Sequence, residues 1–62
     1  MNYAKIVKDL RNKMLLTQNE FADFIGVSFE SVNRWENKKN EPTMSAKRKI
    51  VALAKKYQIE ME

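Results

Sequence analysis

Within six residues stand Phe29, Glu30, Asn33 and Arg34. These types suit the edges of base pairs. A guanidinium forks onto O6 and N7 of guanine, and a carboxylate accepts from the amino group of cytosine. A carboxamide pairs bidentately with adenine, and an apolar ring packs on the thymine methyl. Catalysis has no comparable set to work with. The chain has no cysteine, hence no thiolate or disulfide chemistry. It has no histidine, the commonest general base and metal ligand. Its eight carboxylates are scattered. No enzyme, metal centre or cofactor is expected. Glu30 and Arg34 have a plainer reading too. They stand four apart in the favourable order and can pair with each other, a surface pair worth under about 1 kcal/mol. Glu30 also suits the positive end of a helix.

The stretch that positions these residues runs from Thr17 to Asn37. Thr17 followed by Glu20 is a capping box, so a helix starts at about Gln18. Phe21, Ala22 and Ile25 line one face of it. Gly26 fits the left-handed position past a helix end. Ser28 then caps a second helix carrying Val32, Trp35 and Glu36 on one side. Only Val27 separates stop from start. Helices joined so tightly cross steeply, and Ala22 is the small residue that the crossing needs. With Val32 as the core direction and about 100° per residue, Trp35 and Glu36 turn inward. Glu30, Arg34 and Asn37 turn outward, Asn33 flanks them, and Phe29 lies in the first turn.

This stretch resembles the helix-turn-helix of the Xre/Cro family, the lambda-repressor-like DNA-binding domains. The resemblance rests on Gln18, Ala22, Gly26-Val27-Ser28 and Trp35-Glu36-Asn37, and extends from Leu10-Arg11 through Leu16-Thr17 to Pro42. It covers roughly residues 3 to 57. Lys38 departs from it, standing where many members have glycine, so that either the backbone turns differently there or Lys38 accepts some strain. The resemblance implies a compact, all-α, lambda-repressor-like bundle of four helices, with room for a short fifth. It also implies that Arg11 meets Glu36 and that Gln18 contacts a phosphate. Free amides where Gln18 opens its helix favour an anion independently. Asn37, Lys38, Lys39 and Asn40 follow the second helix and are expected along the DNA backbone.

The flanking segments complete the domain. Tyr3, Val7, Leu10 and Met14, widened by Ile6, predict a first helix over 3–14. Leu15 and Leu16 link it onward, and Leu16 can staple against Phe21. Residues 38–43 read as a loop that Pro42 keeps from being helical. Thr43 or Ser45 caps a last helix to about Tyr57, with Ala46, Ile50, Leu53, Ala54 and Tyr57 inward. Its Lys47, Arg48, Lys49, Lys55 and Lys56 are expected to be a solvated face. The tail from Gln58 to Glu62 is too short for another full helix; Ile59 and Met61 pack on a partner chain or fray.

Sixty-two residues make one domain at most, taken as 1–62. A net charge of +4 favours a polyanion or an acidic surface as partner. No apolar run approaches the roughly 20 residues of a membrane span, and the N-terminus lacks the apolar core of a signal peptide. The expectation is a cytoplasmic transcriptional regulator, more often a repressor, that binds double-stranded DNA as a homodimer on a pseudo-palindromic site. The rival reading is an antitoxin-like module that holds another protein through Phe24 or the tail.

Overall fold

A computed structural model describes residues 1–61. Four helices account for the secondary structure of the described residues: α1 Tyr3–Met14, α2 Gln18–Ile25, α3 Phe29–Glu36 and α4 Met44–Lys56. No fifth helix follows within that range. The helix-turn-helix is α2 and α3, whose closest packing is with each other, while α1 packs on both α3 and α4.

The apolar periodicity becomes one core. Ile6, Val7, Leu10, Phe21, Ala22, Ile25, Val32, Trp35, Ala46, Ile50 and Ala54 are all buried in it. Ile6 is as deep in this core as Val7 and Leu10. Ala4 is buried as well, a position that the apolar stripe of α1 did not single out. Tyr3 and Met14, at the ends of that stripe, are only half-buried.

Each helix begins on a side-chain oxygen that accepts from the amide three residues on. Asn2 caps α1, Thr17 caps α2, Ser28 caps α3 and Thr43 caps α4. At Thr17 the box closes both ways, since the Thr17 amide donates to Glu20 Oε1 at 2.9 Å.

The helix ends follow a second shared rule. Leu15, Gly26, Lys38 and Gln58 all have positive φ, at 58°, 89°, 61° and 57°. In every case the next amide bonds back five residues: Leu16 to Arg11 O, Val27 to Ala22 O, Lys39 to Arg34 O and Ile59 to Ala54 O. This hydrogen-bond pattern satisfies carbonyls that a helix end leaves open. Three of the residues that follow the left-handed position, Leu16, Val27 and Ile59, are apolar and packed against the core. That docking holds the turn even where the left-handed residue is not glycine. It also corrects the reading of the tail. Ile59 and Met61 pack on this chain's own core rather than waiting for a partner.

Two lysines of α4 also make contacts within the chain, Lys49 from an exposed position and Lys47 from a half-buried one. Lys49 donates to the carbonyl of Ile25 at 2.9 Å and so closes the end of α2 from across the bundle. Lys47 pairs with Glu41 at 2.9 Å, holding the loop before α4. The hydrogen bond and charge of Lys47 keep the Glu41 carboxyl below its ordinary value.

The turn energetics yield opposite expectations for two positions. Leu15 is 88 % exposed, so its side chain contributes little packing. Leu15→Gly should relieve a left-handed strain of about 1–2 kcal/mol, offset by the roughly 0.5–1 kcal/mol of glycine's extra chain entropy. A net gain of up to about 1.5 kcal/mol is expected. A Cβ on Gly26 would meet only Lys49 Nζ, at 3.8 Å, so the obstacle there is backbone conformation rather than space. By the same two terms, Gly26→Ala should cost up to about 1.5 kcal/mol. Melting followed by circular dichroism checks both, and equal shifts in one direction would contradict the account.

Candidate nucleic-acid interface

α3 is short, and its two sides differ sharply. Val32, Trp35 and Glu36 are buried. Phe29 is 41 % exposed, Glu30 and Arg34 are exposed, and Asn33 is half-buried. The outward side chains thus share one face that no other helix covers. Among the described residues Glu30 and Arg34 form no ion pair with each other. Asn33 is partly engaged: its backbone carbonyl and its Oδ1 both accept from Nδ2 of Asn37, at 2.9 and 3.0 Å. Its own amide group keeps two donors for a ligand.

The buried carboxylate of Glu36 sets where this helix sits. Arg11 Nε donates to Glu36 Oε2 at 2.6 Å, and Arg11 Nη2 donates to Oε1 at 3.0 Å. The fork matches the carboxylate bidentately. Arg11 Nη1 also donates to the carbonyl of Leu16 at 3.2 Å, so one guanidinium ties α1, the α1–α2 turn and α3 together. The hydrogen bond that Arg11 donates to Glu36 raises the Arg11 pKa, against burial, with Coulomb attraction adding to it. The Glu36 side chain is 4 % exposed and that of Arg11 is 20 %.

Gln18 joins the same cluster. Its Nε2 donates to Glu36 Oε1 at 3.1 Å. Sequence reasoning assigned Gln18 only a contact outside the chain. The missing signal was spatial, because Gln18 and Glu36 meet only once α2 and α3 cross. The second hydrogen of the amide remains available for an outside acceptor.

The remaining candidates lie past the end of α3. Asn37, Lys38, Lys39 and Asn40 are exposed. Lys38 does accept the left-handed conformation where a glycine is common. Lys38, Lys39 and Asn40 line one side of an open cleft whose other side is Met1 and Asn2. That apposition of the N-terminus with the α3–α4 loop was not legible in the sequence. Phe24 stands apart on α2 and is 60 % exposed. Among the described residues no cluster of acids offers a metal site, and no helix is long and apolar enough to cross a membrane.

The profile of the helix-turn-helix family matches residues 7–62 of the chain. No curated protein and no solved structure matches it.

The Glu36 cluster makes a prediction about coupling. Arg11→Met strands a buried carboxylate and should cost on the order of 3–5 kcal/mol, whereas Arg11→Met with Glu36→Leu should cost much less. Urea denaturation of the single and double variants measures the difference. Strict additivity would mean that the contact carries no energy.

Proposed function

The chain belongs to the Xre/lambda-repressor-like helix-turn-helix family, a family of DNA-binding transcription regulators, and from that premise we propose sequence-specific binding of double-stranded DNA with α3 in the major groove. The observation that carries the proposal is the outward face of α3. Phe29, Glu30 and Arg34 are exposed there with Asn33 half-buried beside them, while the opposite face is locked by Val32, Trp35 and Glu36. A helix fixed in this way can present its N-terminal half to a groove without reordering.

Reading and anchoring fall to different residues. Arg34 suits guanine, Glu30 cytosine, Asn33 adenine and Phe29 the thymine methyl. Gln18, Asn37, Lys38, Lys39 and Asn40 hold phosphates and fix the register. A single small domain touches few phosphates, so binding as a homodimer on a pseudo-palindromic site supplies the remaining affinity. Repression follows where such a site overlaps a promoter. The protein-holding alternative rests on Phe24, because the apolar tail residues Ile59 and Met61 lie on the chain's own core.

Binding to a series of single-substitution operators, at several salt concentrations, separates the two roles. The operator itself comes from selection among random duplexes. Arg34→Ala should lose about 1–3 kcal/mol at one base pair and relax preference there. Lys39→Ala should weaken all sequences alike and lower the salt slope by about one ion. A uniform loss for Arg34→Ala would make it an anchor. A folded protein that selects no duplex would leave the protein-holding reading in its place.

A further inference from the structure

α4 carries a second stripe that the bundle leaves open. Ala46, Ile50 and Ala54 are its buried positions. On a different side, Met44, Lys47, Arg48, Val51 and Lys55 recur three and four residues apart, with Ala52 beside Val51. That spacing draws one continuous strip along a helix. These residues, together with Tyr3 of α1, line a single open groove. Its floor is apolar, with Met44 64 % exposed, Ala52 exposed and Val51 half-buried. Its flanks are cationic.

Charge selects the occupant. Every charged residue of α4 is basic: Lys47, Arg48, Lys49, Lys55 and Lys56. Two copies meeting through this face would set those cations against each other, which disfavours self-association here. Duplex DNA would satisfy the cations but leave the apolar floor of Met44, Val51 and Ala52 without an apolar partner. An amphipathic helix with acidic flanks satisfies both at once, because an apolar ridge fills a groove while carboxylates meet its basic rim. We propose that this groove docks such a helix from another protein. Its apolar ridge lies on Met44, Val51 and Ala52, and its carboxylates face Arg48 and Lys55. Lys47 contributes less, since its ammonium is already held by Glu41 at 2.9 Å and stands 5.2 Å from the centre of the Tyr3 ring. The groove shares no residue with the outward face of α3. Substitutions can therefore perturb one without touching the other.

The test is a nuclear magnetic resonance titration of the full chain with two synthetic helical peptides. Both carry leucines at i, i+3, i+4 and i+7; one is flanked by glutamates and the other by lysines. The glutamate peptide should shift the amides of Tyr3, Met44, Val51, Ala52 and Lys55, and the lysine peptide should not bind. Ala52→Glu and, separately, Arg48→Glu should each weaken the glutamate peptide by at least roughly tenfold. Both sites are exposed helix positions, and circular dichroism verifies that each variant folds. Binding of both peptides alike, no binding of the glutamate peptide, or shifts centred on α2 or α3 would overturn the proposal. So would duplex DNA shifting the groove amides, which would assign the groove to nucleic acid. A concentration-dependent dimer abolished by Ala52→Glu would assign it to a second copy and overturn the proposal as well.

Discussion

The carboxylate of Glu36 is the constraint on which the helix-turn-helix depends. It is a charge almost wholly removed from water, and such a group persists in a small domain only when its oxygens are satisfied. Arg11 supplies two donors and Gln18 a third. Those partners come from α1 and from the first turn of α2, so one residue near the end of α3 reaches both preceding helices. Arg11 then holds the Leu16 carbonyl as well, while the Leu16 amide donates to the Arg11 carbonyl. The turn between α1 and α2 is therefore pinned from both sides. An apolar residue at position 36 could fill the same volume, but it would fix no direction. Directional hydrogen bonds set the rotation of α3 about its own axis, and that rotation decides which side chains face outward.

Economy at the helix ends explains how so short a chain remains ordered. A domain of this size buries little surface and has small reserves of stability. Each helix here starts on a capping side chain and stops on a left-handed residue followed by a backward hydrogen bond. Turns this compact also keep α2 and α3 close, with Val27 half-buried at the junction. Lys49 reinforces the same corner by closing the end of α2 from α4. The last helix thus stabilises the helix-turn-helix although it lies outside it.

The charges are divided among the elements. α4 is basic throughout, the exposed acids of α2 are Glu20 and Asp23, and α3 carries both signs on its outward face. A mixed face suits discrimination among bases, because donors and acceptors are then both present. The loop after α3 supplies cations without acids until Glu41, which suits a backbone of phosphates. The apolar and basic groove on α4 shares no residue with the outward face of α3 and meets the loop cleft at Tyr3. The domain thus presents surfaces of different chemistry on one small core.

Much of this was legible in the residues themselves. The capping box at Thr17 and Glu20, the stop at Gly26 and the cap at Ser28 are local chemistry, fixed by neighbours within four positions. The same holds for the apolar spacing that places Val32 and Trp35 inside and Arg34 outside. The left-handed stops at Leu15, Lys38 and Gln58 were not legible as a set, because no glycine marks them. There the conformation is held by the backward hydrogen bonds and, at two of the three, by an apolar neighbour docked in the core. The partners of Gln18 and Lys49 depend on where helices cross, since 18 and 24 residues separate them from the groups they bind. Ile59 and Met61 reached the core for the same reason, as the turn at Gln58 aims the tail back toward the bundle. Local pattern determined which helices form and which faces are apolar. Tertiary structure alone decided which polar groups meet, because a hydrogen bond between distant residues exists only after burial has set the helix crossings.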